Sequence, residues 1–202
     1  MPRISAGTFV TFAKASARTK QRLVARAIAD GKWPGYRAPD DYWVRMRNAL
    51  KRMLKSGDCS ARAVTREVAD FPPSRRADAA SMLTAFAATW PTLGAEVIEG
   101  HRLTIELSGF AITSLPHATV RLGKRRLALR FSYGHTTLVS SDEQLHLELL
   151  RLALGKSGVI PGVLQVRGPS IYVPRRKPAA VAMLHAEARF LINLWKANGG
   201  PL

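Results

Sequence analysis

TVRLGKRRLALRFSY, residues 119–133, is the stretch whose reading decides the fold. Val120 and Leu122 alternate with Arg121, and Leu127, Leu129, Phe131 and Tyr133 alternate with Arg126, Ala128, Arg130 and Ser132. A period of two is that of a strand with one buried face. Gly123-Lys124 supplies a turn between the two runs, so the spacing predicts a β-hairpin. Its apolar face belongs to a core. The opposite face carries Arg121, Arg126 and Arg130, with Lys124 and Arg125 at or near the turn, five cations within ten residues. Such a rigid cationic ribbon suits an anionic partner.

The whole chain shares that bias. Among 202 residues, 31 Lys+Arg against 14 Asp+Glu give a net charge of +17 and a pI near 11.2. A GC-rich genome accounts for Arg over Lys, 22 to 9, but not for the scarcity of acids. This excess points to nucleic acid, with an anionic membrane or an acidic protein partner as alternatives. Hydrophobic content of 47% is that of a folded protein. The single cysteine, Cys59, excludes an intramolecular disulfide and a multi-cysteine zinc site. No apolar run approaches the ~20 residues of a spanning helix. A cytoplasmic location is expected. The acid-free basic residues 1–29 also read as a mitochondrial transit peptide, the alternative location.

Upstream of the hairpin the periodicity is helical. A continuous helix is predicted from about Thr8 to Ala29, with Lys14, Arg18, Arg22 and Arg26 four apart along it. At 1.5 Å per residue these form a slanting cationic stripe roughly 18 Å long. Asp40 or Asp41 caps a helix to about Lys55 with Gly57 as its stop, and Ser60 caps one through Ala69. Ser74 opens another to about Trp90, ended by Pro91. These ninety residues read as a bundle of four helices.

Beyond Pro91 strands are predicted at Leu103–Leu107 and Phe110–Thr113, then the basic hairpin. Ser140 or Ser141 opens a helix that follows, with Ser141 and Gln144 as a capping-box pair and Gly155 as its stop. Val163–Arg167 and Ser170–Val173 flank Gly168-Pro169 as a second hairpin. From Pro178 a last helix carries Val181, Leu184, Ala188, Leu191 and Trp195 on one line, which covers the protein's own sheet or packs against another chain. The predicted fold is α+β: an N-terminal helical bundle, a small mainly antiparallel sheet and two further helices. Residues 1–91 form a helical lobe and residues 92–202 an α+β lobe, either separate or sharing one core.

Two helix starts carry cations against the macrodipole, Arg75-Arg76 after Ser74 and Arg175-Arg176-Lys177 before the last helix. Free N–H groups together with cations make an anion site. Metal and catalytic signatures are absent. The five histidines show no ligand spacing, and His146-Leu147-Glu148 lacks the paired cysteines of a zinc deaminase. Gly155-Lys156-Ser157 lacks the first glycine of a P-loop. A metal-dependent nuclease would have to assemble Glu96, Glu99, Glu106 or Asp142 around its ion. No cofactor and no catalytic residue is therefore expected.

The succession YRAPDDYWVRMRNAL (36–50), PGVLQVRGPSIYVP (161–174) and MLHAEARFLINLW (183–195) resembles uncharacterised proteins common in actinobacteria. The resemblance implies a bacterial cytoplasmic protein and carries no activity. The sequence thus predicts a non-enzymatic protein that neutralises phosphates of DNA or RNA and reads little of their sequence. Interaction with an acidic protein, or a nuclease without a recognisable motif, are the alternatives.

Overall fold

The computed structural model describes residues 1–33, 41–100, 103–114, 116–134, 140–168 and 170–201. The chain opens with strand β1 (Arg3–Ser5) and helices α1 (Ala6–Lys14) and α2 (Ala17–Ala29). The helix expected as continuous is broken at Ala15-Ser16. The Ser16 side chain accepts the Thr19 N–H and starts a new helix, so Lys14 leaves the predicted stripe. Helix α3 (Tyr42–Ser56) is capped by Asp41, which accepts from Trp43 and Val44 N–H, and stops at Gly57 with φ +68°. Helix α4 (Ala61–Ala69) is capped by Ser60. Ser74 caps nothing: Pro73–Arg75 is a 3-10 turn, and α5 (Arg76–Thr89) starts without a side-chain cap.

Strands β2 (Ala95–Ile98), β3 (Leu103–Leu107), β4 (Phe110–Ser114), β5 (Ala118–Leu122) and β6 (Arg125–Ser132) follow. The basic hairpin is β5–β6, with Arg121 opposite Arg126 as the alternation requires. Helix α6 (Ser141–Leu154) precedes β7 (Val159–Gln165), β8 (Ser170–Tyr172) and the long α7 (Pro178–Ala197). The capping box of α6 is Ser140–Glu143 rather than Ser141–Gln144. Gln144 instead donates to the buried Glu148, 2.8 Å away.

The strands form two sheets, β1-β4-β3 and β2-β5-β6-β7-β8. Most pairings are antiparallel, as expected, but β1–β4 and β6–β7 are parallel. The β6–β7 crossover passes through α6, which buries both of its flanks. Leu145 and Leu149 join one core, while Leu150 and Leu154 pack on Ala128 of β6.

The larger core sets Val120, Leu127, Leu129, Phe131 and Leu164 of the five-stranded sheet against Met46, Leu50, Met53, Met82, Leu83 and Phe86 of α3 and α5. The second core joins Phe9 and Phe12 of α1 and Val24 of α2 to Phe110 and Ile112, Leu145 of α6 and Leu184, Leu191 and Trp195 of α7. The expected four-helix bundle is therefore divided. Helices α3–α5 cover one sheet, whereas α1 and α2 pack with α6 and α7 around the other, and both cores draw on residues from either side of Pro91. On α7, Leu184, Ala188, Leu191 and Trp195 are spent on the chain's own core. Among the described residues, no helix is long and apolar enough to cross a membrane.

Candidate anion site between the two sheets

Helix α3 sorts its cations by direction. Arg52 donates to Glu67 and Asp70 of α4, and Arg45 to the Asp70 carbonyl, so one flank is neutralised. Arg47 and Lys51, four residues apart, share the other flank. A like-charge pair at this spacing repels itself. None of the ion pairs among the described residues involves Arg47, Lys51 or Arg130.

These three side chains meet at a cavity of about 710 Å³ between the two sheets. Arg3 and Ser5 of β1 and the first turn of α1 form one wall, with Thr113 of β4 beside them. Arg130 enters from β6, His146 from α6 and His117 from the residue preceding β5. Trp33, stacked on Trp195 at 5.6 Å, closes an apolar side. No carboxylate stands among the described residues lining the cavity.

His117 is held in place by the hairpin. Its N–H donates to the Leu129 carbonyl at 2.7 Å, and its Nδ1 accepts the Phe131 N–H at 2.9 Å, extending the β5–β6 ladder through a side chain. An imidazole whose Nδ1 accepts a hydrogen bond while neutral carries its proton on Nε2. His117, which lines the cavity, therefore carries a fixed neutral donor. Burial and the charges of Arg130, Arg47 and Lys51 hold its pKa well below the usual value.

The other groups respond alike. Burial and then Arg47 push the Arg130 guanidinium down to about 10, although Tyr133 and Glu143 pull the other way. Lys51 is lowered by burial, Arg47 and Arg130. His146 is lowered to about 3 by burial and Arg130, against a smaller opposing pull from Asp142. Arg130 Nε and His146 Nδ1 are buried without a hydrogen-bond partner. Crowded cations that depress one another, with the Arg130 Nε donor unfilled, describe a site complementary to an anion. The start of α1 adds to it. Its first turn has no acidic residue, and Ala6 and Gly7, whose amides have no intrahelical acceptor, are among the residues lining the cavity.

The cations expected from sequence are distributed differently. On the hairpin, Lys124, Arg125 and Arg126 are exposed at the turn, and Arg126 also donates to the Ser157 carbonyl at 3.3 Å. Arg121 pairs with Glu96 at 3.1 Å. Arg130 lies on the same strand face but beneath α1 and α6, so the ribbon is not one exposed surface. Lys14 pairs with Asp142 and Arg26 with Asp30, leaving Arg18 and Arg22 exposed on α2.

Neither cationic helix start is the open anion site the sequence suggests. Arg76 turns back to the Ala69 and Phe71 carbonyls at the end of α4, a favourable position for a cation, while Arg75 lies 5.9 Å from the Tyr42 ring centre. The start of α7 already holds an anion. The Lys177 N–H donates to Glu148 Oε1 at 2.9 Å, and Arg175 and Arg176 point to solvent before it. Of the carboxylates considered for metal, Glu96 and Asp142 are ion-paired. Among the described residues no three metal-ligating side chains gather.

Sequence reasoning reached Arg130 and missed Arg3, Arg47, Lys51, His117 and His146. The legible signal was the Arg47–Lys51 spacing, a repulsive pair on one helix flank. No protein-family model matches the chain, and no curated protein matches it in sequence. The crystal structure of SSO0001 is similar over 88% of this chain and 87% of its own, at 10% identity and a TM-score of 0.35, a likeness too slight to inform the site.

Proposed function

We propose that this protein binds DNA or RNA through phosphates, reads little of their sequence and does not cleave them. One observation carries the reading. Four cationic side chains (Arg3, Arg47, Lys51 and Arg130) and two imidazoles line a cavity whose described walls hold no carboxylate. Folding brings these cations together at a cost, and a bound phosphate offsets that cost. The exposed Lys124, Arg125 and Arg126 at the hairpin tip, with Arg18 and Arg22 on α2, supply weaker contacts along a strand. The surplus of +17 steers association.

Retention on immobilised single- and double-stranded DNA and RNA, followed across a salt series, tests this. Engagement of ~6–10 phosphates requires affinity to fall about 10³–10⁵-fold between ~50 and ~200 mM salt. Folded protein that is not retained at low salt refutes the reading. Intact nucleic acid after incubation with Mg²⁺ or Mn²⁺ is expected, and cleavage would move the assignment to a nuclease.

A further inference from the structure

Resting on that reading, we infer that the cavity between the two sheets takes a phosphomonoester, the dianionic phosphate at the end of a strand or on a free nucleotide, rather than a diester within a strand. Unused donor capacity is the first argument. Arg130 stands at the cavity with its Nε buried and without a hydrogen-bond partner, so the site holds donor capacity that no described group of the protein uses.

The donor set is the second argument. A monoester presents three terminal oxygens and two charges, a diester two oxygens and one charge. Facing it are guanidiniums from α3 and β6, the Lys51 ammonium, and the first turn of α1. His117 contributes a donor that cannot become an acceptor, because its Nδ1 is engaged by Phe131 N–H. That arrangement favours fully ionised oxygens, each of which only accepts hydrogen bonds. Size is the third. About 710 Å³ lies in the range of cavities that enclose a small ligand, and holds a nucleotide but no length of duplex. The apolar wall at Trp33 suits the sugar and base behind the phosphate.

The experiment compares one single-stranded oligonucleotide bearing a 5′-phosphate, a 3′-phosphate or hydroxyls at both ends. A nucleoside monophosphate and inorganic phosphate are tested in parallel by thermal shift at constant ionic strength. A phosphorylated end is expected to bind about ten- to hundred-fold more tightly than the hydroxyl form, the worth of one or two charge-assisted hydrogen bonds. Arg130→Gln and, independently, Lys51→Gln should remove most of that preference, while the exposed Arg62→Gln keeps it.

Preference for a phosphorylated end supports the inference and makes strand termini the source. Thermal stabilisation by the monophosphate without any end preference also supports it and makes a free nucleotide the source. Equal binding of all three oligonucleotides, with no stabilisation by either small phosphate, overturns the inference while leaving general nucleic-acid binding standing. A preference that survives unchanged in both folded cavity variants overturns it as well.

Discussion

Replacing Arg130 by Met should stabilise the ligand-free protein, an uncommon result for a half-buried residue. The side chain enters from β6 with its Nε unpartnered, and burial with Arg47 opposite holds its pKa down to about 10. An unfolded guanidinium stays protonated above pH ~12. Below pH ~10 the charge is present in both states, so its penalty on the fold is fully expressed at neutral pH. Stability recovers only as pH rises through ~10, where the folded state begins to release its proton. At about 1.4 kcal/mol per pH unit the ceiling is near 3 kcal/mol, and partial solvent contact reduces this to about 1–2 kcal/mol.

Met retains much of the aliphatic stem without the charge. Net stabilisation of about 1 kcal/mol corresponds to a melting temperature higher by roughly 2–4 °C at this chain length. Inorganic phosphate should then reverse the order. A ligand at ~100 times its Kd adds about 2.7 kcal/mol to the wild type and little to the variant. Calorimetry at pH 7, with and without phosphate at matched ionic strength, reads both effects. A Met variant less stable than wild type in phosphate-free buffer would show that Arg130 is already compensated, and the argument for a waiting anion site would fail.

Acidification gives a second test. His146 is neutral in the fold with a pKa lowered to about 3, so the unfolded state takes up protons first and stability falls as pH drops below ~6.5. The loss reaches about 2–3 kcal/mol by pH ~4.5, and His146→Gln should flatten the curve of melting temperature against pH; parallel curves would contradict the assignment. Glu148, fully buried, accepts from Gln144, Arg151 and the Lys177 N–H. Glu148→Ala should cost about 3–5 kcal/mol in denaturant unfolding, since it strands Arg151 and uncaps α7; a loss below ~1 kcal/mol would show those bonds to be idle. On a strand with a phosphorylated end, Arg47→Gln with Lys51→Gln should lower the salt slope by about 2, whereas Arg121→Gln with Arg126→Gln should lower it by no more than about 1, because Arg121 already faces Glu96. Equal changes in the two double variants would mean diffuse charge rather than a site.

Local chemistry was legible from the sequence alone, because its causes lie within a few residues. Alternation set the β5–β6 hairpin, and side-chain oxygens at Asp41 and Ser60 opened α3 and α4. The apolar line of α7 was plain, and so was the surplus of positive charge. Errors arose where a local signal had a rival: Ser16 could end one helix by starting another, and Ser140 with Glu143 outcompeted Ser141 with Gln144. Strands as short as Arg3–Ser5 and Ala95–Ile98 carry too few residues to show a period, and exist because β4 and β5 offer them edges. The candidate site belongs wholly to the tertiary structure. Only the parallel crossover through α6 and the docking of β1 on β4 bring Arg47, His117, Arg130 and His146 to one cavity beside the start of α1. In the sequence a cation drawn towards a carboxylate and one held away from any carboxylate look the same. Arg52 and Arg47 sit five residues apart on one helix, and only the partner each faces makes the first a brace for α4 and the second a wall of the site.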